Sequence, residues 1–296
     1  MMLPATRALL QIHFCGVLWG FTAILGKLIT LGALQLVWWR MVLVSAALLL
    51  VKRFWVGLRS LPGKLIAIYA GIGVIVALHW LTFYGSVKLA NASVAATCMA
   101  LTPIFISFVE PYLAKRKFDS SELLFGIAAV PGVALVVGGT PVDMRIGILV
   151  GAVSAFFVSI FSSLNKRYIA NSPALTITGI EMAAGAAILT LVAIVVPLEA
   201  PLLKLPSVHD AWLLAALAMG CTLFPFALSL VALRQISAFS ASLAVNLEPI
   251  YAIVLAILLL GEQRELAPSF YAGVAIILIV VFMHPLWSGR RRVKLQ

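Results

Sequence analysis

The chain has 296 residues, of which 63% are hydrophobic and 10% charged, and its mean hydropathy is +1.13. Soluble domains carry about 25% charged residues, so this composition excludes one core inside a solvated skin. The net charge of +11 comes from 21 basic against 10 acidic side chains, and in so apolar a chain it points to anionic lipid headgroups, with no need of nucleic acid.

A helix that crosses a bilayer core of about 30 Å needs roughly 20 apolar residues. Apolar runs bounded by charged or Pro/Gly turns fall near 9–31, 36–51, 65–87, 92–113, 120–139, 146–165, 174–197, 211–233, 239–260 and 268–287. Ten transmembrane helices are therefore expected, in an all-α polytopic membrane protein with brief loops. The first run follows Arg7 without a small-residue cleavage site and is read as an uncleaved span carrying Trp19. The second, short run holds Arg40, close enough to its end to snorkel. The third contains "VALHWLTFYGS", in which His79, Trp80, Phe83 and Tyr84 put one titratable ring and three aromatic ones at mid-span. The functional reading is an aromatic cavity wall; the bland one is packing aromatics around a histidine bonded to backbone.

The fourth run contains Pro103 and, near its end, Glu110; the sixth contains Phe157 and a serine stripe, Ser159, Ser163 and Lys166. Those serines either face cargo or bond to carbonyls of their own helix. Glu181 lies two turns into the seventh run, as a gating contact or a packing partner. The ninth, "VNLEPIYAIVLAILLLGE", places Glu248 near mid-membrane with Asn246, Pro249 and Tyr251 around it. A buried carboxylate there is neutral, hydrogen-bonded to another helix, or open to a watery cavity. Pro249 is expected to kink the helix by removing a backbone bond, and Pro103 likewise. "GVLWG" (16–20) and "GILVG" (147–151) are small-xxx-small packing patterns. Cys15, Cys98 and Cys221 fall inside apolar runs as small packing residues, with no disulfide framework.

The chain repeats itself. "VKLANASVAATCMALTPIFISFVEPYL" (87–113) lies on "VALRQISAFSASLAVNLEPIYAIVLAILL" (231–259), pairing Lys88 with Arg234, Leu101 with Leu247, Pro103 with Pro249 and Phe105 with Tyr251. Further along Gly126 pairs with Gly273, and earlier Arg40 pairs with Glu181. Repeats of five spans, residues 1–140 and 141–296, must enter the bilayer from opposite sides because five is odd. With the N-terminus cytoplasmic, fifteen Lys and Arg fall inside and five outside. Both termini are thus expected in the cytoplasm, and the two halves as inverted repeats, an architecture of many secondary transporters.

These two halves, with the "LEPIYAIVLAILLLGE" and "RMVLVSAALLL" segments, resemble the drug/metabolite transporter superfamily, of the ten-helix type with two EamA-like repeats, over nearly the whole chain. Within it the chain looks most similar to bacterial exporters of amino acids, including aromatic ones. The resemblance implies a multi-pass protein of the bacterial inner membrane that exports small metabolites, most of all apolar or aromatic amino acids, by alternating access. Its substrate-binding candidates are Trp19, His79, Trp80, Phe83, Tyr84, Phe157, Ser159, Ser163, Asn246, Glu248 and Tyr251, with Arg40 and Glu181 as gating residues. The alternatives are a lipid- or amphiphile-handling protein, or an exporter of other metabolites or drugs. The first half departs from the second, having Thr102 where the second has Glu248, and Lys115-Arg116 where it has Gly261-Glu262.

No enzyme is expected. HExxH, GxSxG and P-loop signatures are absent, and His13, His79, His209 and His284 are too scattered to suggest a metal site. No cofactor is implied, and the sequence leaves the oligomeric state open.

Overall fold

The computed structural model describes residues 4–115, 117–118, 124, 127–195, 201–245 and 247–293, and every regular element among them is helical. In chain order these are α1 (Pro4–Leu28), α2 (Ala33–Leu49), α3 (Lys52–Arg59), α4 (Gly63–Leu89), α5 (Ala92–Met99), α6 (Thr102–Leu113), α7 (Val130–Gly138), α8 (Arg145–Tyr168), α9 (Ala174–Val195), α10 (Val208–Ala215), α11 (Phe224–Leu233), α12 (Ala238–Val245), α13 (Glu248–Leu255) and α14 (Pro268–Val293). Among the described residues six helical stretches are long and apolar enough to cross a bilayer. The short second run folds as α2 and then α3, bent 87° against each other. Of the run expected at 120–139, α7 accounts for only the second half, and Gly126 lies outside the described residues.

Local sequence sets the helix starts. Asn91 caps α5 by accepting from Val94 N–H at 2.9 Å, and Ser207 caps α10 by accepting from Asp210 N–H at 3.1 Å. The small-xxx-small patterns lie where helices approach closely. A methyl group at Gly151 would stand 2.7 Å from Cys98 Sγ, and one at Gly20 would stand 3.0 Å from Tyr251 Cβ. A close backbone approach joins α4 to α9, where a Cβ on Gly73 would meet Glu181 O at 2.2 Å. All three cysteines are buried and unpaired.

The internal repeat survives in a detail of the backbone. α5 and α6 are interrupted at Ala100–Leu101, with Pro103 in the first turn of α6. The second half has a matching interruption at Leu247, just before α13, with Pro249 in the first turn of α13. Each proline stands in the first turn after its interruption, where its missing N–H has no intrahelical acceptor to forgo.

Loop hydrogen bonds sort the helix ends into two sets. At one end Lys88 Nζ donates to Ile29 O (2.5 Å), Thr30 N and Oγ1 donate to the Asp210 carboxylate (2.9 and 2.6 Å), and Asn91 Nδ2 donates to Glu265 Oε2 (2.9 Å). There too Glu262, 1% exposed, accepts from Ala92 N (2.9 Å), Ser93 N (2.8 Å) and Ser93 Oγ (2.6 Å), covering the start of α5. Gly261 turns the chain into that contact with φ of 70°, a left-handed conformation that suits glycine. At the other end Lys166 Nζ donates to Leu233 O (2.7 Å) and Ile236 O (2.5 Å), Arg167 Nη1 to Leu113 O (3.1 Å) and Arg234 Nη2 to Ser172 O (2.5 Å). The turns after α6 and after α13 thus lie at opposite ends of the bundle.

Candidate functional site

A cavity of about 140 Å³ opens within the bundle, lined by α1, α2, α4, α5, α6, α8, α11, α12 and α13. On α8 its lining residues occupy the half leading to Tyr168, and on α11 they extend to Leu233, so it reaches toward the end where Lys166 and Arg234 bind helix carbonyls. The end tied by Glu262 and Asp210 contributes nothing to the lining.

Arg40 anchors one wall. It is 3% exposed, and this corrects the snorkelling expectation: its head turns into the bundle, where protein groups replace the water a snorkelling cation would seek. The guanidinium lies 3.7 Å from the centroid of Trp80, a cation–π contact. Nε donates to Thr222 Oγ1 at 2.5 Å and Nη1 to Tyr84 Oη at 2.9 Å. Thr222 reaches that point because residues Ala216–Leu223, between α10 and α11, form a π-helical segment. Its hydroxyl donates to Leu217 O, five residues back, at 2.6 Å and so keeps its lone pairs for Arg40. A π-segment of this sort often accompanies a functional site.

His79 is fixed on the opposite side of α4's cavity face. Its Nδ1 lies 2.7 Å from Ser154 Oγ and 3.2 Å from Ser154 O, while Ser154 Oγ donates to His79 O at 2.9 Å. A carbonyl only accepts and the serine proton is already committed, so Nδ1 carries the hydrogen and, in the neutral ring, Nε2 keeps a free lone pair. An aromatic wall continues from there: His79–Phe161 centroids are 5.5 Å apart, Phe161–Phe226 6.4 Å and Trp80–Phe226 6.2 Å. Trp19, Phe83, Glu248 and Pro249 complete the part of the lining that the sequence singled out. Glu248 is the first residue of α13 and 8% exposed.

Several sequence candidates lie elsewhere. Tyr84 stands behind Arg40 as its hydrogen-bond partner, and Tyr251, 37% exposed, covers Gly20 on the outside of α13. Ser159 and Ser163 donate within their own helix, to Phe156 O (2.6 Å) and Ser159 O (2.7 Å), and Phe157 is half-buried away from the cavity. Glu181 is fully buried, its backbone against Gly73 and its carboxyl facing the Asn165 side chain. Asn246 lies outside the described residues.

The structure adds Thr22, Thr102, Phe161, Ser162, Asn165 and Ser229 to the lining. Val158, Phe161, Ser162 and Asn165 follow i, i+3, i+4, i+7 spacing, the stripe one helical face makes. The serine stripe expected from the sequence is this one rotated by a single residue. Among the described residues no three His, Cys, Asp or Glu side chains are grouped to hold a metal ion.

Comparison with known proteins agrees with this architecture. The model of the EamA-like transporter family matches the chain twice, over residues 6–138 and 145–284. No curated protein matches. Solved structures do, and one crystal structure superposes over 95% of this chain and 98% of its own with a TM-score of 0.65 at 17% identity, a likeness of fold alone.

Proposed function

Since this chain belongs to the EamA-like transporter family, with two repeats and the small-molecule membrane transport that membership implies, we propose that it exports amino acids with apolar or aromatic side chains. One observation carries the cargo reading: the cavity joins an aromatic wall to a buried cation, Arg40, and a buried carboxylate, Glu248. Rings accept an apolar side chain, and the charged groups meet the polar end. The mechanism is alternating access, in which the end tied by Glu262 and Asp210 opens as the end near Lys166 closes.

The reading includes ten spans in the bacterial inner membrane, two oppositely inserted halves and cytoplasmic termini. The bias of fifteen basic residues against five supports it. Lys115→Cys and Gln263→Cys test the insertion: both positions are exposed and the native thiols are buried. A membrane-impermeant thiol reagent on intact cells should modify the second and spare the first. Equal reaction at both removes the inverted topology.

For the cargo, purified protein in liposomes loaded with unlabelled amino acids should accumulate the same labelled amino acid by counterflow. If none of the twenty exchanges, the cargo is of another class. His79→Ala is expected to slow exchange of phenylalanine about tenfold while the protein stays monodisperse, since it removes one ring and one acceptor worth roughly 1–2 kcal/mol together. Unchanged exchange would take His79 out of the site.

A further inference from the structure

We propose that the cavity is a clamp for a zwitterion, in which Arg40 holds a carboxylate and Glu248 holds an ammonium group of the same molecule. This deepens the amino-acid reading above and rests on it.

The argument starts from what the two charges lack. Arg40 has five donors, and its Nε and Nη1 are engaged by Thr222 and Tyr84 while Nη2 bonds to no described residue. Glu248 lines the same cavity, lies within electrostatic reach of Arg40, and makes no hydrogen bond to a described residue. Opposite charges that share a low-dielectric space ordinarily close into a direct pair, because an unpaired buried ion costs several kcal/mol. Here Trp80, Thr222 and Tyr84 hold the guanidinium in place, so direct pairing with Glu248 would cost those three contacts.

A ligand that brings its own anion and cation satisfies both groups at once. A carboxylate suits the planar edge of a guanidinium, and an ammonium suits Glu248. Other charge patterns fit badly. A dicarboxylate sets its second anion toward Glu248, and a diamine sets a cation against Arg40, each repelled in a medium that screens poorly. The ring wall of Phe161, Phe226 and Trp80 remains for an apolar side chain.

The test uses the wild-type protein in liposomes and four unlabelled competitors against labelled phenylalanine: phenylalanine itself, phenethylamine (no carboxylate), 3-phenylpropionate (no amine) and phosphoethanolamine (a zwitterionic headgroup). A charge-assisted hydrogen bond contributes about 1.5–3 kcal/mol, so each truncated analogue should compete roughly 10- to 100-fold more weakly than phenylalanine. Arg40→Gln should weaken phenylalanine to the level of phenethylamine, and Glu248→Gln should weaken it to the level of 3-phenylpropionate. If either variant fails to fold, the wild-type panel decides alone. Competition by a truncated analogue equal to that by phenylalanine overturns the clamp and leaves the amino-acid cargo standing. Stronger competition by phosphoethanolamine moves the site to a lipid headgroup and overturns it as well. Absence of exchange with every amino acid overturns the cargo and the clamp together.

Discussion

Gly73→Val should yield no monodisperse protein. A side chain at this position does not meet another side chain that can swing away. It meets the α9 backbone, with its Cβ 2.2 Å from Glu181 O and 2.6 Å from Glu181 Cα. The two helices must then part along their length, which also loosens Gly185 of α9 from Met41 on α2, whose Sδ lies 2.5 Å from a Cβ built there. Overpacking a core costs about 1–3 kcal/mol when side chains can adjust, and a backbone that cannot adjust belongs above that range. Gly71 of the same helix has nothing within 4 Å of its position and provides the control. Gly71→Val should give a gel-filtration profile like that of the wild type. If both variants run alike, α4 and α9 do not cross at Gly73.

The second large effect is expected from Glu262→Ala. This carboxylate accepts three hydrogen bonds from the first residues of α5, and its removal leaves two backbone N–H groups and a hydroxyl buried without an acceptor. Each such donor costs about 1–3 kcal/mol when no water reaches it. The negative charge opposite a helix N-terminus is lost too. Thermal unfolding in detergent should therefore begin markedly lower in Glu262→Ala, with Glu262→Gln between it and the wild type because one amide oxygen can still accept. A melting curve for Glu262→Ala that superimposes on the wild type would show that this end of the bundle is held by other groups. The tie also crosses between the repeats, since Glu262 belongs to the second and α5 to the first. Its loss should loosen the end of the bundle that must part for cargo to leave in the proposed cycle.

Much of the helical architecture was readable because bilayer thickness dictates run length, and hydropathy alone marks such runs. The repeat was readable because Pro103 and Pro249 occur at matching places, although the interruption behind each was not: a proline at the start of a helix and one in its middle look identical in sequence. The site was legible where polarity is costly. Arg40 and Glu248 stand out in apolar runs, as do His79 and Trp80, and all four line the cavity. Phase on α8 was not legible, because its lipid-facing and inward-facing residues are both largely apolar, and the stripe was set one residue away from Phe161, Ser162 and Asn165. Thr222 was invisible for a different reason. A π-helical segment changes the residue count per turn, so a threonine that ordinary helical spacing would aim elsewhere meets Arg40. Tyr84 stands next to the cavity residue Phe83, and successive residues in a helix point about 100° apart.

A symmetric pair of halves would offer a ligand two equivalent poses related by the pseudo-twofold axis. Here Thr102 faces the cavity where Glu248 does in the other half, and Arg40 faces it while Glu181 is packed away. That divergence removes one pose. Three unlike contact points, a cation, an anion and a ring wall, then define a handed frame, so a chiral molecule and its mirror image cannot fit it equally well.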